Sequence, residues 1–126
     1  MDKKKSLLVV EDEDTIRKAI VVKFNKEGFN VLEAKNGEEG LGVFIKERPE
    51  IILLDLVMPV MDGIEMLKKL RLCEGGNDVP VIILTNLSEA EKTAEGLEFG
   101  VRDYLVKSDW RLEDVVQLVR SKLEKK

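Results

Sequence analysis

Five short apolar runs constrain this chain more than any other feature. They are Leu7–Val10, Val31–Leu32, Ile51–Leu54, Val81–Leu84 and Tyr104–Val106, and they recur every 20 to 30 residues. Most hold no polar residue, the pattern of a strand covered on both faces. The stretches between them are too long for hairpin turns and carry helical periodicity. Strand, helix, strand at this spacing predicts βαβ units and a parallel sheet. Right-handed crossovers then give an α/β fold, a doubly wound five-stranded sheet with five helices.

The helices follow from apolar stripes and end signals. In 14–27, Ile16, Ile20 and Phe24 share a stripe; Asp14 is expected to cap the start and Gly28 to stop it. In 36–47, Asn36 and Glu39 have the spacing of an N-cap and its third helical residue. Leu41, Phe44 and Ile45 are expected to form the inner face. Gly40 and Gly42 sit inside this helix at a cost of about 1 kcal/mol each relative to alanine, which close packing on the sheet would explain. In 62–72, Ile64, Leu67 and Leu70 face inward. The run SEAE at 88–91 is a capping box opening a helix through Phe99, closed by Gly100. The last helix, about 111–124, carries Leu112, Val115, Val116, Val119 and Leu123 on one stripe, with Leu118 at its edge and Trp110 off it.

The 126 residues are 44% hydrophobic and 37% charged, with a formal net charge of −4. That fits one domain, 1–126, with one real core. It gives no electrostatic ground for nucleic-acid binding. No apolar run approaches the ~20 residues needed to span a bilayer. The LLVV after the basic start is too short for a signal peptide's apolar segment, and acid follows at once. The chain therefore reads as cytoplasmic, with no membrane partner. Cys73 is the single cysteine, in keeping with a reducing compartment, and is read as inert. There is no histidine, which excludes histidine-based catalysis, imidazole–zinc ligation and a phosphohistidine carrier role within this chain. The lysine-rich ends, 3–5 and 125–126, read as solvated.

In open parallel sheets, ligands bind beyond the carboxyl ends of the strands. After the first strand come Glu11 and Asp12. The third ends at Asp55, the fourth at Thr85, the fifth at Lys107. These five residues are expected to converge on one sheet edge. Three packed carboxylates raise one another's pKa unless cations balance them. Lys107 supplies one positive charge, and a divalent cation would supply the rest. An oxygen-only donor set favours a hard ion such as Mg²⁺ (or Mn²⁺), which keeps open positions for phosphate oxygens. Lys107 and the Thr85 hydroxyl are placed to meet the same phosphate.

The VVEDED start, LLDLVMPVMDG at 53–63, Thr85 and DYLVKS at 103–108 closely resemble a response-regulator receiver domain of two-component signalling, over nearly the whole chain. The resemblance implies a flavodoxin-like (βα)5 fold with strand order 2-1-3-4-5, and a single receiver domain with no output domain in 1–126. It implies Asp55 as phosphoacceptor from a sensor histidine kinase or histidine phosphotransfer protein. Asp12, Asp55 and the backbone carbonyl of Val57 would be direct metal ligands, and Glu11 would act through a metal-bound water. It implies Lys107 and Thr85 as phosphoryl-stabilising groups, with Thr85 and Tyr104 as the switch. The surface of the fourth helix, fifth strand and fifth helix would then control an output protein or a self-dimer. The chain would not be an enzyme beyond its own phosphoryl transfer and slow autodephosphorylation.

Three departures or tuning features stand out. Ser108 replaces the proline usual after the lysine, and Asn86 replaces a small residue after Thr85. Val57 and Leu87, two residues past Asp55 and Thr85, are apolar and expected to position water poorly, which implies a long-lived aspartyl phosphate. Other classes fit less well. An aspartate-nucleophile phosphatase needs a second acid two residues after its nucleophile, where this chain has Val57. A flavin-binding module needs a hydroxyl- and amide-rich loop after its first strand, where EDED would repel phosphate. A degenerate receiver, a binding or dimerisation module independent of phosphorylation, would not require the intact set of Glu11, Asp12, Asp55, Thr85 and Lys107.

Overall fold

The computed structural model describes residues 4–85, 90–107 and 111–124. Asn86, Leu87, Ser88, Ser108, Trp110 and residues 125–126 lie outside them. The order of elements is β1 (Ser6–Val10), α1 (Asp14–Lys26), β2 (Asn30–Ala34), α2 (Gly37–Glu47), β3 (Ile51–Asp55), α3 (Gly63–Leu72), β4 (Val81–Thr85), α4 (Ala90–Leu97), β5 (Asp103–Val106) and α5 (Leu112–Glu124). The five strands form one parallel sheet in the order β2-β1-β3-β4-β5, as the resemblance implies. Among the described residues, no helix is long and apolar enough to cross a membrane.

Strand alternation divides the core in two. Leu8, Val10, Ile52, Leu54, Val81 and Ile83 pack against α2 and α3 through Phe44, Ile64, Met66, Leu67 and Leu70. Leu7, Val9, Ile51, Leu53, Ile82 and Leu84 face the other way, onto Ile20 and Phe24 of α1 and Val115, Val116 and Val119 of α5. The central strands are apolar on both faces because both faces are covered. Each fully buried leucine or isoleucine contributes about 1.5–3 kcal/mol, which holds the strand ends in fixed register. Leu118, expected at the stripe's edge, packs against the α1–α5 cluster.

Local expectations fail in four places. Asp14 does not cap α1: the N-cap is Glu13, with no side-chain bond. The Asp14 carboxylate is taken instead by Arg17, one turn along. On α2, Asn36 does cap Glu39 N–H at 2.9 Å, but Ile45 is 54% exposed, because it lies ~100° round the helix from buried Phe44. A Cβ on Gly40 would lie 2.9 Å from the Met66 sulfur and 3.1 Å from Val10, so close packing explains that glycine; one on Gly42 would meet nothing within 4 Å. Finally, α4 stops at Leu97 rather than Phe99. Gly100, at φ +84°, turns the chain so that its N–H and that of Val101 bond back to Leu97 and Gly96.

Candidate functional site

The sheet brings the predicted residues to one edge because β1, β3, β4 and β5 end together. Glu11 follows β1 directly and is fully buried; its N–H donates to the Ala34 carbonyl at 3.0 Å. Asp12, one residue on, is exposed. Asp55 closes β3 and is 2% exposed. Lys107 follows β5, its N–H donating to the Thr85 carbonyl at 2.7 Å. The Lys107 Nζ lies 3.0 Å from Glu11 Oε1 and 3.0 Å from Asp55 Oδ1.

The electrostatics follow from that crowding. Burial first, then the neighbouring Glu11, push the Asp55 pKa up from 3.8 to about 7, against the pull of Lys107. Burial alone would lower the Lys107 pKa, but Glu11 and Asp55 outweigh it, so the ammonium is held more firmly than usual. Three carboxylates around one ammonium leave negative charge unbalanced.

A hard divalent cation fits this arrangement. Oxygens of Glu11, Asp12 and Asp55 all lie within 4.8 Å of one another, an all-oxygen donor set. The Glu11 Oε1, although paired in charge with Lys107, is the one buried side-chain atom among the described residues without a hydrogen bond. Its other oxygen, Oε2, accepts from the Glu13 N–H at 3.2 Å.

The loop after β3 is tightly shaped. The Gly63 N–H donates to the Leu56 carbonyl at 2.9 Å, and a Cβ at Gly63 would fall 2.3 Å from the Asp55 carbonyl oxygen. Only glycine lets α3 start this close to the strand end. Val60 stands at φ +70°, and the Met61 N–H reaches back to the Pro59 carbonyl at 2.7 Å. That is the strained hand of γ-turn, on a β-branched residue. Val57, two residues past Asp55, is 50% exposed.

Thr85 is buried at the end of β4, and its hydroxyl lies 2.9 Å from that of Thr93 on α4. Tyr104, register partner of Ile83, shares the face of Ile83 and Thr85 and is 52% exposed; it does not stand inward. Asn86, Leu87 and Ser108 lie outside the described residues.

Sequence reasoning missed two residues at this edge. Thr93 is one. Arg17 is the other, a buried guanidinium that donates to the Glu11 carbonyl at 3.0 Å, to Glu33 at 2.9 Å and to Asp14. Burial works against its charge, but Asp14 and Glu33 outweigh it and raise its pKa. Arg17 thereby fixes the peptide between Glu11 and Asp12 against α1 and β2. Its spacing from Asp14 was visible as an i,i+3 pair; its reach to the Glu11 carbonyl was not.

Known proteins place this geometry. The family model for the response regulator receiver domain matches residues 7–120. A relative described as probable transcriptional regulator ycf27, from Porphyridium aerugineum, is 38% identical over 97% of this chain and 50% of its own length. The phosphate regulon transcriptional regulatory protein PhoB of Pseudomonas aeruginosa is 38% identical over 82% of this chain and 45% of its own. The chain thus spans about half the length of such curated relatives. Among solved structures, a response regulator from Chloroflexus aurantiacus superposes with a TM-score of 0.89 at 28% identity, covering 98% of this chain and all of that one. The receiver domain of sensor histidine kinase PA1611 from Pseudomonas aeruginosa, described with magnesium in its active-site cleft, has a TM-score of 0.85 at 25% identity over 94% and 97% of the two chains. With the strand order and the edge-on convergence of Glu11, Asp55 and Lys107, these matches establish that the chain belongs to the response-regulator receiver domain family.

Proposed function

We propose that this receiver is a phosphorylation switch that accepts a phosphoryl group on Asp55 from a phosphohistidine of a sensor histidine kinase or histidine phosphotransfer protein. The observation that carries the reading is Asp55 itself. It is a nearly buried carboxylate at the end of the central strand, with Lys107 3.0 Å away. A carboxylate placed there is costly unless its ionised form is used.

Glu11, Asp12, Asp55 and the Val57 carbonyl would hold Mg²⁺ (or Mn²⁺), with Glu11 acting through a bound water. When bound, the cation supplies positive charge for phosphoryl oxygens and keeps Asp55 ionised. The chain's own groups do the rest. An Asp55 carboxylate oxygen forms the new P–O bond. The P–N bond of the donor breaks, and its electron pair leaves on the imidazole nitrogen as neutral imidazole from a protonated ring. Lys107 holds a phosphoryl oxygen and keeps the charge of the site low. Positioning and charge neutralisation carry most of such a transfer.

Transfer takes the Asp55 side chain from −1 to about −2. The Thr85 hydroxyl is drawn to the phosphoryl group, and Tyr104 turns in toward the space Thr85 leaves. The α4–β5–α5 surface then differs between the two states and controls a partner, an output protein or a second copy. The relatives described as transcriptional regulators make a DNA-binding protein's output domain one such partner. The receiver itself catalyses only its own phosphorylation and a slow loss of the phosphate, and works in the cytoplasm. A phosphatase reading lacks its acid: apolar Val57 stands where the second carboxyl would be needed.

The test is incubation with Mg²⁺ and acetyl phosphate, followed by intact mass. The parent gains one phosphoryl group and Asp55→Asn gains none. A parent that never gains it would leave only the phosphorylation-independent binding module.

A further inference from the structure

Helix α4 is seated on the sheet in an unusual way for its family of neighbours in this molecule. Helices α1, α2, α3 and α5 bury large apolar side chains, whereas among the described residues of α4 none belongs to the apolar core. Its buried positions are Thr93 and Gly96, three residues apart on one face. A Cβ on Gly96 would lie 2.5 Å from the Ile83 side chain, so this turn of α4 rests almost directly on β4. One turn earlier, Thr93 meets Thr85, hydroxyl to hydroxyl, at 2.9 Å. Strand alternation puts Thr85 on the α4 side: it is two residues past Ile83 and points to the same face. The ion pairs of α4 with α3 and its cap, Lys68 to Glu95 and Lys92 to Asp62, are exposed and hold little. A helix whose described buried positions are a small residue and a polar one belongs to the low-stability end of a fold, where moving elements are drawn from.

We propose that Thr93 is the positioning residue of the phosphate-sensing hydroxyl: it holds Thr85 to α4 in the unphosphorylated protein, and exchange of that bond for one to the phosphoryl group is what couples Asp55 to the position of α4. This rests on the phosphoacceptor reading above and adds to it the residue that sets the switching equilibrium. The Thr85–Thr93 bond belongs to one state only. Losing that bond with the Thr93 hydroxyl weakens the unswitched state, shifting the equilibrium by about fivefold, the factor one net hydrogen bond is worth.

The experiment titrates the full chain with beryllofluoride in saturating Mg²⁺, reading tryptophan or tyrosine fluorescence, in the parent, Thr93→Val, Thr93→Ser, Thr85→Ala and the Thr85→Ala/Thr93→Val double variant. The expected result is that Thr93→Val binds the phosphoryl mimic about fivefold more tightly than the parent. Thr93→Ser, which keeps the hydroxyl, matches the parent, and Thr93→Val has no effect when Thr85 is already alanine. If Thr93→Val does not fold, Thr93→Ala takes its place in the same comparison. Equal or weaker binding by the hydroxyl-free variants, or an equal shift in the Thr85→Ala background, overturns the inference and leaves the phosphoacceptor reading standing. No binding by the parent overturns both.

Discussion

Replacing Asp55 by asparagine should make the metal-free protein more stable at alkaline pH. In the unfolded chain Asp55 titrates near 3.8, and in the fold near 7. The folded state thus binds this proton more tightly than the unfolded state. Between those values stability falls as pH rises; the deficit is complete above about pH 7 and absent below about pH 3.8. A separation of about three pH units at about 1.4 kcal/mol per unit bounds the deficit near 4 kcal/mol. Relaxation around a site open to water through Asp12 lowers this to roughly 2–4 kcal/mol. Asparagine keeps the shape and cannot ionise. Urea unfolding followed by circular dichroism, with chelator present, should show Asp55→Asn more stable than the parent by that amount at about pH 8. The gap should shrink to less than half at about pH 5. Saturating Mg²⁺ should raise the parent and close part of the gap by mass action. If Asp55→Asn is no more stable at alkaline pH, or the gap is the same at both values, burial and Glu11 are not loading Asp55 as argued.

The loop and helix glycines give opposite outcomes. Gly63→Ala should lose 3 kcal/mol or more, the order of a backbone clash, because its Cβ would meet the Asp55 carbonyl at 2.3 Å. Gly42→Ala, with open space around it, should gain about 0.5–1 kcal/mol in the same denaturation assay. Arg17→Met should lose on the order of 1–3 kcal/mol by leaving the buried Glu11 carbonyl without the guanidinium that donates to it. It should also weaken Mg²⁺ binding in a fluorescence titration, with phosphorylation restored at high Mg²⁺; unchanged Mg²⁺ affinity would refute its hold on the Glu11–Asp12 peptide. The aspartyl phosphate should be long-lived, and Val57→Asn should shorten its life by giving water a polar partner beside Asp55. A parent lifetime of seconds, unmoved by Val57→Asn, would sink that reading.

The parts of this protein legible in the sequence are those set by local, repeated patterns. The runs ending at Val10, Leu54 and Leu84 named the buried strands, because a strand covered on both faces admits no polar residue. Once the strands were named, the positions of Glu11, Asp55, Thr85 and Lys107 followed, because every parallel strand delivers its last residue to the same edge. What escaped depended on contacts between segments far apart. Asp14 has the composition of a cap, but a guanidinium one turn along, itself anchored to Glu33 on β2 and the Glu11 carbonyl, takes its carboxylate. Ile45 is apolar yet faces water, since the stripe of α2 is set by where Gly40 lets it approach Met66 and Val10. Thr93 belongs to no motif or apolar stripe; only the pairing of α4 with β4 makes it the partner of Thr85.

The central claim is that Asp55, and no other acid of the cluster, carries the phosphoryl group. Loading the protein with acetyl phosphate and Mg²⁺, then trapping with borohydride, reduces an aspartyl phosphate to the alcohol, which peptide mass mapping locates. The account predicts homoserine at position 55, with Glu11 and Asp12 recovered intact. Reduction at Glu11 or Asp12, or none in a folded, Mg²⁺-bound protein, would contradict it.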